Sequence, residues 1–236
     1  MKKIITLLYM GLLSTGLWAQ LDRSTPPAAG PAPQINIGES QQFTLKNGLQ
    51  VFVVEDHKLP MVSYSLTLNT GAVPEGEATG YVELVGDLMR AGTTSRSKAE
   101  IDEAVDFIGA TLSPHSRGIY ARSLTRHNSI LLELMSDVLL NPVFPQEELD
   151  KIVKQMETAI QANKNEPSAI AGNIASVLRY GSTDPYGAVT SEASLARITT
   201  DHLKQYHQTY FRPNKGDLSI GGDITLKEAK KQAKKY

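Results

Sequence analysis

The stretch Gly80-Tyr-Val-Glu-Leu-Val-Gly-Asp-Leu-Met-Arg-Ala-Gly-Thr93 decides how the rest of this sequence is interpreted. Its apolar residues recur three and four positions apart, which is the spacing of one face of an α-helix. Gly92 follows the pattern and is a typical helix end. Glu83 and Asp87 are four positions apart, so they share a face of that helix. The stretch therefore predicts a helix that carries two carboxylates on one side.

Strand signals precede this helix, and helices and strands follow it. Asn47-Gly48 predicts a hairpin turn between two apolar runs, and residues 62–68 alternate apolar and polar side chains. Ser97 and Glu100 form a capping box that predicts a second helix. The other predicted elements are a hairpin around Arg117-Gly118, helices at 129–139, 145–164, 167–180 and 200–210, a strand at 217–221 and a helix from 225 onward. This order predicts an α+β fold, with helices packed on one face of a largely antiparallel sheet.

The first nineteen residues have the pattern of a secretory signal peptide. Lys2 and Lys3 precede an uncharged run that ends at Trp18, and Ala19 supplies a small residue for cleavage. The run is shorter than the ~20 apolar residues of a membrane-spanning helix, so no span is predicted. We therefore expect the protein to be exported to the periplasm or cell envelope after cleavage near Ala19.

Composition limits the remaining organisation. Residues 20–41 are rich in Pro and Ala and predict an extended arm, which leaves residues 42–236 as one domain. The hydrophobic fraction of 41% is that of a globular chain. The formal charge of −1 argues against a nucleic-acid partner, which requires a basic surface. The chain has no cysteine, so the fold must be stable without disulfides.

Several short motifs, in a fixed order, resemble the M16 (pitrilysin/insulinase-like) peptidase family. They are Asn47-Gly48-Leu49, Pro74-Glu75-Gly76, Asn141-Pro142, Asp184-Pro-Tyr-Gly187, Tyr210-Phe-Arg-Pro-Asn214 and Gly221-Gly-Asp223. Their order and spacing, from about residue 42 to the end, carry the resemblance. It implies an M16/LuxS-like metallohydrolase fold, with a sheet of five or six strands and helices on one side. It covers the family's first domain, and we expect the family's second domain to be missing from this chain.

The resemblance also implies which residues would carry the family's chemistry. Active relatives have the motif His-x-x-Glu-His on the first helix, where two histidines bind zinc and the glutamate activates a water. Here Glu83 and Asp87 stand at the two histidine positions, and Gly86 stands at the position of the general base. A third ligand position, on a later helix, falls on Ala159. All four positions are degenerate, so we expect neither catalytic residues nor a bound zinc.

Three interpretations of the remaining carboxylates stay open. Glu83 and Asp87 could form a solvated face balanced by Arg90, a weak site for Ca²⁺ or Mg²⁺, or an acid/base pair. Glu157 is the nearest substitute for the third ligand. No histidine has a partner at the spacing of metal ligands; the five are His57, His115, His127, His202 and His207.

The sequence therefore predicts a non-catalytic M16-like subunit or domain. It would pair with an active M16 zinc peptidase subunit, or with a second M16 domain, and help to hold peptide substrates in the cell envelope. One alternative is an active metalloendopeptidase with an atypical carboxylate site at Glu83, Asp87 and Glu157. The other is an envelope binding or scaffold module without a peptidase partner.

Overall fold

A six-stranded sheet organises the computed structural model, which describes Gly30 and residues 40–236. The predicted signal peptide and most of the predicted arm lie outside the described residues. The strands are β1 (Gln41–Thr44), β2 (Gln50–Glu55), β3 (Met61–Leu68), β4 (Thr111–His115), β5 (Gly118–Leu124) and β6 (Gly216–Gly222). Their order is β1-β2-β6-β3-β5-β4, with β2 and β6 parallel and the other neighbours antiparallel. The predicted α+β fold with a largely antiparallel sheet is confirmed.

Eight helices complete the described part of the chain. They are α1 (Tyr81–Met89), α2 (Lys98–Phe107), α3 (Asn128–Leu140), α4 (Gln146–Asn163), α5 (Pro167–Tyr180), α6 (Glu192–Leu195), α7 (Thr200–Tyr210) and α8 (Leu226–Lys235). The capping box predicted for α2 is present, because Ser97 and Glu100 each bind the other's backbone N–H. The short α6 was not predicted. None of the described helices has the length and apolar character needed to cross a membrane.

One face of the sheet forms the core. Alternate residues of β3 are buried, and Tyr64 is paired in register with Ala121 of β5 and Ile220 of β6, which are also buried. Helix α3 packs on β5, and α8 packs on β2. The hydroxyl oxygen of Tyr64 lies 2.8 Å from both Asn128 Oδ1 and Gln232 Oε1. The core tyrosine therefore links both helices to the sheet, because a buried hydroxyl is stabilised by polar partners.

A buried carboxylate holds the segment that follows α1. Asp137 of α3 is 9% exposed, and its Oδ2 accepts hydrogen bonds from Thr93 Oγ1 at 2.7 Å, Ser95 Oγ at 2.7 Å and Arg96 Nη1 at 2.9 Å. Its Oδ1 accepts a fourth from Asn141 Nδ2 at 3.1 Å. Burial raises the pKa of Asp137, but these hydrogen bonds outweigh it and lower the pKa to about 2. The network fixes the end of α1 against α3.

Replacing Asp137 with asparagine should therefore lower the free energy of unfolding by about 2 kcal/mol at neutral pH. Since the pKa is lowered in the folded state, this contribution is complete above the ordinary value of 3.8 and is lost as the pH falls toward 2. Urea unfolding of wild type and Asp137→Asn between about pH 5 and about pH 2 measures it. The stability gap should close at the acidic end, and a gap independent of pH would contradict the assignment.

Candidate functional site

Helix α1 carries the three sequence-predicted site residues on one broad side, because they stand at positions i, i+3 and i+4, but they differ in exposure. Glu83 and Asp87 are exposed, whereas Gly86 is buried. The large apolar residues of the helix, such as Leu84 and Leu88, are fully buried in the core. The helix packs against β4, α4 and α7. Gly86 is therefore covered by neighbouring elements, whereas the side chains of Glu83 and Asp87 reach solvent.

The start of α1 is fixed by a residue to which sequence reasoning gave no role. Glu75 Oε2 accepts hydrogen bonds from the backbone N–H of Gly80 at 2.8 Å and of Val82 at 2.9 Å. These N–H groups belong to the first turn, where backbone donors have no partner within the helix and where the helix dipole favours a negative charge. Glu75 belongs to the Pro-Glu-Gly loop that resembles the family. The sequence motif indicated that this loop is similar to the family's loop, but it did not reveal that Glu75 caps the start of α1.

Gly86 lies directly against the backbone of β4. A Cβ atom built on Gly86 would lie 2.4 Å from the Cα of His115, 2.8 Å from its carbonyl carbon and 3.1 Å from its nitrogen. Side chains essentially never approach to below 3.0 Å in this way, and a strand backbone cannot rotate aside as a flexible side chain can. The space that a glutamate would need at this position is therefore filled by β4.

The end of α1 is anchored to the same strand. Arg90 Nη1 donates to the carbonyl oxygen of Leu112 at 3.0 Å, and Arg90 Nη2 pairs with Asp102 Oδ1 of α2 at 2.8 Å. Arg90 therefore pairs with Asp102, whereas the sequence suggested that it would balance the charge of Glu83 and Asp87. Strand β4 is an edge of the sheet, and Arg90 donates a hydrogen bond to one of its carbonyl groups. Edge strands whose backbone groups are free invite pairing with another chain, and this contact reduces that possibility.

The carboxylates do not form a metal centre with a third ligand. Glu83 and Asp87 are exposed on α1, Glu157 is half-buried on α4, and Ala159 is exposed two residues further on. Across residues 40–236, no group of three or more His, Cys, Asp or Glu side chains is placed to hold a metal ion. The structure does not gather Glu83, Asp87 and Glu157 into such a group.

Three of the five histidines, His57, His115 and His207, take part in hydrogen bonding or packing within the fold. His57 Nδ1 lies 2.7 Å from Asp223 Oδ1, and this hydrogen bond, together with one to Glu55, raises the pKa of His57. Burial lowers the pKa of His115 and of His207. His207 Nε2 lies 2.8 Å from the carbonyl oxygen of Leu139, so it ties α7 to α3. In these surroundings the three rings support packing and chain connections.

An apolar cavity in the described part of the chain lies away from α1. It has a volume of about 490 Å³ and is bounded by the sheet and by helices α3, α7 and α8, with Leu66, Met135 and Phe211 among its lining residues. No residue of α1 or β4 lines it. The cavity therefore does not add a binding volume to the positions where the family places its chemistry.

Comparison with known proteins shows that two protein-family models match this chain. The model "Insulinase (Peptidase family M16)" matches residues 50–179, and the model "Peptidase M16 inactive domain" matches residues 197–236. The chain is 26% identical over 191 residues to an uncharacterized zinc protease, YmxG, of Bacillus subtilis, covering 78% of this chain and 47% of that protein. It is 24% identical over 145 residues to the β subunit of the mouse mitochondrial-processing peptidase, covering 58% and 29%.

Solved structures agree with this assignment. A peptidase M16 inactive domain from Pseudomonas fluorescens superposes with a TM-score of 0.75 at 25% identity, over 84% of this chain and 50% of that one. The periplasmic protease PqqL of Escherichia coli has the same fold, with a TM-score of 0.67 at 19% identity, over 88% and 24%. The chain spans about half the length, or less, of these relatives.

The contact between Gly86 and His115 yields a direct prediction. Gly86→Ala should lower the free energy of unfolding by about 1–3 kcal/mol, because the new methyl group overlaps a strand backbone. Gly172, in the interior of α5, has no atom within 4 Å of a built Cβ and is the matched control. Gly172→Ala should raise stability by up to ~1 kcal/mol through helix propensity alone. Thermal and urea unfolding of both variants measure the difference, and an unchanged or increased stability of Gly86→Ala would refute the close contact.

Proposed function

We propose that this chain, which belongs to the insulinase-like M16 peptidase family, is a non-catalytic member of that family. The observation that carries the proposal is the burial of Gly86 against the backbone of His115. Hydrolysis in this family's motif requires a carboxylate beside the metal to activate water. Here the residue has no side chain, and the surrounding backbone leaves no room for one. The degenerate ligand positions Glu83, Asp87 and Ala159 support the same conclusion.

We infer that the chain pairs with a catalytically active M16 subunit or domain. The relatives in which the match occurs are at least about twice as long as the matched region, so in them this fold is accompanied by further chain. One relative is named as the β subunit of a processing peptidase, and one solved neighbour is named as an inactive M16 domain. In such a pair, the inactive chain would help to bind the peptide, and the active partner would cleave it.

The proposed role is to help hold unfolded peptides for the partner. Arg90 occupies the carbonyl oxygen of Leu112 on the edge strand β4. In this proposal, peptides bind to surfaces that the chain forms together with the partner. The signal-like start of the sequence supports a location in the cell envelope. An unfolded peptide is a substrate class that fits an exported protein of a peptidase family.

Purified alone, the chain should bind substoichiometric zinc and should not hydrolyse a quenched fluorescent peptide. Metal content is measured by mass spectrometry and hydrolysis by fluorescence, each with and without a chelator. Glu83→Ala should change neither quantity, because Glu83 is an exposed side chain without a catalytic role. Stoichiometric zinc together with chelator-sensitive cleavage would overturn the proposal, and loss of that cleavage in Glu83→Ala would favour the carboxylate-site peptidase.

A further inference from the structure

The apolar cavity between the sheet and helices α3, α7 and α8, which we call the core-face cavity, has a volume of about 490 Å³. Protein interiors are close-packed and contain few voids larger than a water molecule. Pockets that bind small molecules have volumes of about 300–1,000 Å³. The core-face cavity therefore has the size of a ligand site, and the chemistry of its wall indicates which ligand it fits.

Apolar side chains form most of the wall of the core-face cavity. Leu66 of β3 and Ile220 of β6 line it from the sheet, and Leu132 and Met135 line it from α3. All four are buried. Water makes too few hydrogen bonds to such a wall to be held there, whereas cavities lined by aliphatic and aromatic side chains bind apolar molecules. The interior of the cavity therefore favours a hydrocarbon ligand.

Polar groups in the wall already have partners within the fold. The Tyr64 hydroxyl is bonded to α3 and α8. Ser136 Oγ donates to the carbonyl oxygen of Glu133 at 3.0 Å, and His207 Nε2 lies 2.8 Å from the carbonyl oxygen of Leu139. A buried polypeptide segment would bring backbone N–H and C=O groups that need partners of their own. An acyl chain brings none, so it fits this wall better than a peptide does.

The exposed rim of the core-face cavity is positively charged. Arg212 lines the cavity, is exposed, and forms no side-chain hydrogen bond or ion pair with any residue that the structure describes. Lys46 lies in the β1–β2 turn between two lining residues, and Lys235 Nζ lies 2.9 Å from the hydroxyl oxygen of Tyr236, which also lines the cavity. Within residues 40–236, no Asp or Glu contributes to the lining. An anionic head group is therefore complementary to this rim.

We propose that the core-face cavity binds a single-chain anionic lipid. The acyl chain fills the apolar interior, and the head group lies at the rim, where it accepts a charge-assisted hydrogen bond from Arg212. Free fatty acids and anionic lysophospholipids share this chemistry. No residue of α1 lines the cavity, so the proposal does not rest on the proposed function.

The test is the binding of palmitate to the full chain, with affinity measured by calorimetry and stoichiometry by native mass spectrometry. One palmitate should bind per chain. Each methylene group removed between palmitate and octanoate should weaken binding by up to roughly fourfold, because the buried chain length decreases. Hexadecanol, which has the same chain length and no charge, should bind roughly tenfold more weakly than palmitate. Palmitoyl lysophosphatidylglycerol, titrated in parallel, distinguishes the two sources, since the tighter of the two anionic binders identifies the head group.

Two variants and their controls locate the site. Ala233 is a half-buried lining residue of α8, so Ala233→Trp should fill the cavity and abolish palmitate binding. Ala171→Trp, on an exposed position of α5 outside the cavity, should bind palmitate as the wild type does. Arg212→Gln should weaken palmitate binding roughly tenfold and leave hexadecanol binding unchanged, whereas Arg179→Gln should alter neither. Circular dichroism checks the fold of each variant, and Arg212 is exposed, so its replacement tests the site even if Ala233→Trp does not fold.

Several outcomes would overturn the lipid site. They are no saturable binding of either anionic lipid, equal binding of palmitate and hexadecanol, and unchanged binding in a folded Ala233→Trp variant. A crystal structure of the full chain in which a polypeptide segment occupies the cavity would overturn it as well. These measurements are independent of zinc content and peptide hydrolysis, so failure of the lipid site leaves the proposed function standing.

Discussion

The contact between Gly86 and the backbone of His115 is the constraint on which the rest of the candidate site depends. It brings α1 close to the edge strand β4, which a helix with any side chain at that point could not do. The close approach buries Gly86, while Glu83 and Asp87 on the same helix remain exposed. Under the proposed function, the absence of a general base at this position and the close packing of the helix on the strand have the same structural cause.

Polar contacts at both ends of α1 maintain this packing. Glu75 binds the N–H groups of the first turn, and Arg90 binds the carbonyl oxygen of Leu112. Beyond the helix, Asp137 accepts a hydrogen bond from Thr93 and so fixes the loop that follows α1. Each contact satisfies backbone or side-chain groups that would be costly to bury without a partner. These contacts hold α1 in place at both of its ends.

The sequence predicted the elements more completely than their contacts. Periodicity and capping signals predicted the helices, and the motif order predicted the fold, because both depend on local patterns. The approach of Gly86 to His115 could not be predicted, since it joins an α-helix to a strand that follows a further helix. A glycine inside a helix does indicate a packing constraint, but it does not reveal the neighbour. In α4, Leu149 is fully buried, and Ile152, Val153, Met156 and Ile160 are partly buried against the core. In α5, apolar residues with a helical period are exposed, and sequence alone does not distinguish such a row from a core stripe.

The account is tested most directly by rebuilding the family motif in two steps. The first variant carries Glu83→His, Asp87→His and Ala159→Glu, and the second adds Gly86→Glu. Thermal unfolding in the presence of zinc compares them, with peptide hydrolysis measured in parallel. Because the glutamate would overlap the backbone of His115, the second variant should unfold at a clearly lower temperature than the first and should show no hydrolysis. A second variant that is as stable as the first and cleaves peptides in a zinc-dependent manner would contradict the account.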